Sequence, residues 1–179
     1  MEITVRTARE SDYAGAGEVA VAAYRTIDPN LGGYEARLRD VAGRATDATV
    51  LVAVARDRVV GTATYVPGPT SRLAETDNPD DAGLRMLAVS PDAAGRGIGT
   101  ALVEHALDRA RRAGRRRLVL LTRPQMHAAH AVYRRLGFTR APELDESFED
   151  VTLLGFAIVF DSAPPHHNPD TDGHEPALA

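Results

Sequence analysis

Apolar and polar side chains alternate with a period of two over Ile3–Arg6, the pattern of a half-buried strand. Thr49–Ala55 and Val59–Val66 are β-branched blocks separated only by Arg56-Asp57-Arg58, which predicts an antiparallel hairpin. Between these strands the period lengthens to that of a helix. Val19, Val21, Ala22 and Tyr24 belong to a helix that Ser11 or Asp12 would cap, and Tyr34–Val41 predicts a second, shorter helix after the Gly32-Gly33 break. Pro67–Asp81 has no hydrophobic period and is rich in Pro, Gly, Asp and Asn, so it reads as a loop of solvated acids. Leu84–Val89 is the next strand; Pro91, with no N–H to give a ladder, ends it.

The second half alternates helix and strand. Ile98, Leu102, Val103, Ala106, Leu107 and Ala110 form one apolar stripe of a helix reaching about Ala113, with Gly114 as its stop. Arg117–Leu121 is an apolar strand, Gln125–Leu136 a helix ending at Gly137, Phe138-Thr139 the start of a short strand and Val151–Phe160 a long one. The helix between Leu84–Val89 and Arg117–Leu121 implies that these two strands run parallel. One domain over residues 1–161 is expected. From Ser162 the chain is Pro, His, Asp and Gly with little to bury, which predicts a disordered tail over residues 162–179.

Composition narrows the chemistry. The 179 residues include no Cys, so disulfides, thiolate nucleophiles and zinc–thiolate sites are excluded. A net charge of −4 argues against nucleic acid as the main partner. No apolar run approaches the length of a membrane span, and the first residues lack the design of a signal peptide, so no membrane partner and a cytoplasmic location are expected. All 21 basic residues are Arg, which together with the abundant Ala reads as the codon bias of a GC-rich bacterial genome.

Gly95, Gly97 and Gly99 stand where a strand gives way to a helix. Without Cβ atoms the backbone can approach a ligand closely, and the helix N-terminus adds free N–H groups and a positive dipole end. That combination suits a phosphate or pyrophosphate, although a bare tight turn has the same look. A P-loop needs Lys, which the chain lacks; a dinucleotide fold wants a third glycine where Leu102 stands and an acid after the next strand, where Thr122-Arg123 stand.

Three linked segments resemble the GNAT superfamily of N-acetyltransferases: Leu87-Ala88-Val89-Ser90-Pro91, Gly95-Arg96-Gly97-Ile98-Gly99 opening a helix, and Ala129-His130-Ala131-Val132-Tyr133-Arg134-Arg135-Leu136-Gly137-Phe138. The resemblance implies an α/β fold of the mixed-sheet kind: a central, mostly antiparallel sheet with a splayed parallel pair, flanked by helices. It implies acetyl-CoA as co-substrate with no metal, and direct transfer to an amine of a small molecule or a protein or peptide, and it leaves a homodimer open. The strand ending at Val89 should bulge and splay from the strand at Leu118. Main-chain groups of Leu87 and Val89 would then hold the pantetheine arm, with an amide facing the thioester carbonyl as an oxyanion donor. The loop and first helical turn (Gly95, Arg96, Gly97, Ile98, Gly99, Thr100) would hold the pyrophosphate. The family's Gln/Arg at the head of this loop is replaced by Ala94.

By the same resemblance Tyr133 lies near the coenzyme sulfur, where a phenol can protonate a departing thiolate; packing against the sheet is its other reading. The base is open. The family's Glu falls at about Gly83, and Glu75, Asp80, Asp81, Asp28 and Tyr24 are the nearby candidates. Arg111, Arg112, Arg115, Arg116 and Arg117 suit a helix C-terminus. Arg134 and Arg135 are within reach of a ribose phosphate or simply solvated. His127 and His130 have no third metal ligand. A non-catalytic acyl-CoA-binding domain, a longer acyl donor and a hydroxyl acceptor stay open at this point.

Overall fold

A computed structural model describes residues 2–148 and 151–160. The strands are β1 (Thr4–Thr7), β2 (Thr49–Ala55), β3 (Arg58–Val66), β4 (Asp81–Val89), β5 (Arg117–Thr122), β6 (Thr139–Arg140), β7 (Glu146–Phe148) and β8 (Val151–Val159). The helices are α1 (Tyr13–Arg25), α2 (Tyr34–Arg39), α3 (Val41–Ala45), α4 (Ile98–Arg112) and α5 (His127–Arg135). One mixed sheet runs β1-β2-β3-β4-β5-β8-β6, with β7 on β8. Its pairings are antiparallel except β4 with β5, which is parallel as expected from the helix between them. The expected tail over residues 162–179 lies outside the described residues.

Alternation along the strands sorts the core onto two faces. On β2, Leu51 and Ala53 face α4, whereas Val50 and Val52 face α1 and α3. All six stripe residues of α4 are buried. The helix lies close against β3 because Gly61 has no side chain: a Cβ there would stand 2.7 Å from Ile98 Cγ2 and 3.0 Å from Leu102 Cδ1.

Three local expectations need correction. Asp12 occupies the N-cap position of α1 without capping it, because its carboxylate accepts from the Arg6 guanidinium (2.6 Å) and the Arg9 N–H (2.7 Å), and a 3-10 turn over Glu10–Asp12 leads in. The helix expected over Tyr34–Val41 is two helices broken at Asp40, whose carboxylate accepts from the Gly43 N–H (2.9 Å). Arg44 stabilises the break from below, donating to the Arg37 and Leu38 carbonyls that α2 leaves open. Finally, β4 starts at Asp81, earlier than the apolar run suggested.

The Arg56-Asp57 turn has φ values of 49° and 59°, the left-handed pair that matches the twist of a two-residue hairpin.

Candidate functional site

β4 changes face partway along. Ala82 and Leu84 point to the α4 side; from Met86 onward the parity is flipped, so that Leu87 and Val89 lie on that side while Met86 and Ala88 pack under α1 and α2. The cause is a bulge: Met86 has φ 52°, and the register with β3 slips between Thr62↔Ala88 and Thr64↔Arg85. The bend takes β4 away from β5. The two are joined only at Asp81↔Arg117, Ala82↔Leu118 and Gly83↔Val119, and beyond Gly83 they part. Ser90 donates its N–H to the Val60 carbonyl on β3 (2.9 Å). Strand alternation therefore turns the main-chain groups of Val89, and of Leu87 two residues earlier, toward the side that β5 has left.

The loop after β4 begins with a 3-10 turn over Pro91–Ala93, and Ala94 follows it, exposed. Gly97 sits at the N-cap of α4 with φ 78° and brings no side-chain oxygen, so the first N–H groups of the helix keep no cap. A Cβ at Gly97 would meet nothing within 4 Å; its requirement is conformational. Gly95 has φ 74° in the same open surroundings, and Arg96 between them is exposed. Ile98 is buried beneath the turn, while Gly99 and Thr100 are half-buried. Arg135 reaches across from α5 to donate to the Thr100 hydroxyl, adding positive charge to a helix end that already favours anions. An uncapped helix N-terminus beside an unpaired strand edge fits a long ligand with an anionic pyrophosphate and an amide-bearing arm.

Tyr133 closes the α5 side. Its ring is 4% exposed and packs 5.7 Å from Phe138 and 6.2 Å from Phe156. Burial, and then the charge of Glu75, hold its phenol well above the usual value, so it stays protonated across the working range of pH. Tyr24 and Tyr34 stand opposite with rings 5.7 Å apart, and burial raises both phenols.

The candidate bases separate sharply. Asp80 is exposed. Asp81, read as a solvated loop acid, is fully buried and bound to Arg117 by two hydrogen bonds of 2.9 and 2.8 Å, with the Thr76 hydroxyl on the same carboxylate. Asp28 pairs with Arg123 at 3.1 Å. Glu75 was likewise expected in solvent, yet its side chain is 11% exposed. Gly83 carries no side chain that could act. Among the remaining residues, Arg111 lies over the Phe160 ring at 4.8 Å and Arg115 donates to the Pro79 carbonyl, so part of the arginine cluster serves packing. His130 bonds through Nε2 to the Thr122 hydroxyl and the Arg123 carbonyl, and burial lowers its pKa. No group of three or more His, Asp or Glu among the described residues is arranged to hold a metal. None of the described helices is long and apolar enough to cross a membrane.

The family model of the acetyltransferase (GNAT) family matches residues 18–138. Among solved structures, a GNAT family acetyltransferase from Brucella melitensis in complex with acetyl-CoA is 26% identical, with 92% of each chain covered and a TM-score of 0.60. A ribosomal-protein-alanine N-acetyltransferase from the same organism is 24% identical, covering 88% of this chain and 99% of its own, at a TM-score of 0.66. The PaiA N-acetyltransferase of Thermoplasma acidophilum in complex with coenzyme A is 18% identical, covering 87% and 98%, at a TM-score of 0.65. No curated protein matches the chain.

Proposed function

The chain belongs to the acetyltransferase (GNAT) family, and from that premise we propose that it transfers an acetyl group from acetyl-CoA to a primary amine, directly and within a ternary complex. The donor supplies an acyl group activated as a thioester. One observation carries the reading: the parting of β4 from β5 beyond Gly83, with the Met86 bulge turning an unpaired strand edge toward the uncapped start of α4.

On this reading Leu87 and Val89 bind the pantetheine arm through their main chain, as an added strand would be bound. Gly95, Arg96, Gly97, Ile98, Gly99 and Thr100 hold the pyrophosphate, Thr100 with Arg135 on its hydroxyl. A main-chain N–H at the end of β4 stabilises charge on the carbonyl oxygen, an effect of several kcal/mol when the donor is fixed in advance. Tyr133 gives its hydroxyl proton to the leaving sulfur. With no Cys in the chain, no thiol can carry the acyl group between the two substrates. Complexes of relatives with acetyl-CoA and coenzyme A support the choice of donor. The acceptor is either a small molecule or the amine of a protein or peptide.

The test is release of free coenzyme A thiol from acetyl-CoA against a panel of amines, from polyamines and amino acids to peptide N-termini. At least one amine should raise release well above hydrolysis, with acetylated product in equal amount. Release that no amine accelerates, from protein that binds the donor, would rule out amine acetylation.

A further inference from the structure

The loop between β3 and β4 does not stay on the surface. Arg85, on β4 just before the bulge, draws it inward by donating Nη1 to the Leu73 carbonyl (2.9 Å) and meeting Glu75 Oε1 through Nε (3.1 Å). Glu75 is thereby placed where β4 and β5 have parted, near the Leu121 N–H on the edge that β5 presents there. Its Oε2 is buried and has no hydrogen-bond partner. A buried carboxylate oxygen without a partner is costly, and surface loops ordinarily avoid it. The titratable and charged groups close enough to interact electrostatically with it are Arg85 from β4, Tyr24 from α1, Tyr34 from α2, Tyr133 from α5 and Glu146 from β7. Arg85 is the one cation in this set, and it engages the other oxygen.

The geometry points to Glu75 as the general base that takes the proton of the acceptor ammonium, an inference that rests on amine acetylation as proposed above. The proton passes from nitrogen to the Glu75 carboxylate, directly or through water. The freed lone pair forms the C–N bond as the C–S bond breaks. Tyr133 gives its proton to sulfur and takes back the second nitrogen proton, so the phenol ends neutral and Glu75 returns its proton to solvent. Burial, with Glu146 adding and Arg85 opposing, pushes the Glu75 carboxyl up to about 7. A base poised there is about half ionised in neutral solution and stronger than an ordinary carboxylate toward an ammonium proton.

The experiment uses the full chain, an amine that passes the release test, and kcat/KM across pH 5.5–9. The wild type should show an acid limb near pH 7. An alkyl ammonium titrates at about 10 and a peptide N-terminus at about 8, so the limb belongs to the protein when it appears with an alkyl amine or, with an α-amine, when it disappears in Glu75→Gln. Glu75→Gln should lose the limb and about 10²-fold or more of kcat/KM. Glu75→Asp should retain the limb at an intermediate rate. Both variants should keep the rise in melting temperature with acetyl-CoA, which reports donor binding separately. A Gln variant that is slow but keeps the limb would assign Glu75 to holding the loop and overturn the proposal, as would one of wild-type rate. A wild type inactive on every amine, with the donor shift intact, would instead remove the amine reading and the base with it.

Discussion

The carboxylate of Asp81 and the guanidinium of Arg117 meet through two parallel hydrogen bonds at the closed end of the gap between β4 and β5. Asp81 is fully buried, and Arg117 also reaches Glu143 at 2.9 Å. The pair therefore locks the three joined residues of each strand, and the bulge at Met86 sets how far the strands part beyond them.

Breaking that pair should destabilise more than a surface ion pair would. Arg117→Met leaves Asp81 buried without its partner, with an expected cost of about 3–5 kcal/mol in chemical denaturation. Adding Asp81→Leu should recover much of the loss, because no buried charge then remains. A double variant no more stable than Arg117→Met would show that the pair does not act as a unit.

The loop glycines should differ in their tolerance. Gly97 has φ 78°, where a Cβ costs roughly 1–2 kcal/mol, so Gly97→Ala should reshape the start of α4 and weaken the thermal shift given by acetyl-CoA. At Gly99 an added Cβ would meet Val89 Cγ2 at 3.7 Å and Val132 Cγ2 at 4.0 Å, ordinary contacts, so Gly99→Ala should keep the start of α4 and the stability of the wild type, and a smaller acetyl-CoA shift there reports the close approach of the pyrophosphate alone. A shift in Gly97→Ala equal to that of the wild type would detach the αL turn at Gly97 from donor binding.

Much of this was legible in the sequence because local chemistry decides it. The α4 stripe, the hairpin at Arg56-Asp57 and the glycine turn each follow from spacing within a few residues, and the parallel pairing of β4 with β5 follows from the helix between them. What stayed hidden depends on distant partners. Asp12 is a good N-cap by type, but Arg6 on the neighbouring strand takes its carboxylate. Asp81 and Glu75 look alike in a polar loop; Arg117 occupies the first, and Arg85 pulls the second inside. The break at Asp40 turns on Arg44 reaching back to α2, which no period reveals. Arg85 itself carried no signal beyond a polar residue at an alternating position.

Glu75 should leave a mark on stability without any substrate. Its folded pKa of about 7 lies above the ordinary carboxylate value, so its favourable contribution is complete below about pH 4.5 and is lost as pH rises through 7. Glu75→Gln removes that penalty, so at pH 8 the variant should exceed the wild type by up to ~3 kcal/mol, with the difference shrinking toward pH 5. Denaturant titrations at the two pH values measure it. A difference independent of pH would mean that Glu75 does not titrate in this range.

Tyr133→Phe tests the acid. The ring packs against Phe138 and Phe156 in the core, and Phe keeps those contacts, so the melting temperature and the acetyl-CoA shift should change little. The hydroxyl is what is lost. If it protonates the leaving sulfur, turnover at saturating donor should fall by about 10²-fold. Because burial keeps the phenol protonated well beyond neutral pH, it contributes no limb of its own between pH 6 and 9. The Phe variant should therefore be slow at every pH while retaining the acid limb assigned to Glu75, whereas Glu75→Gln is slow and loses it. Two variants with the same loss but different pH profiles would separate the acid from the base on neighbouring side chains. A Phe variant of full rate with a confirmed acceptor would leave Tyr133 as a core aromatic and nothing more.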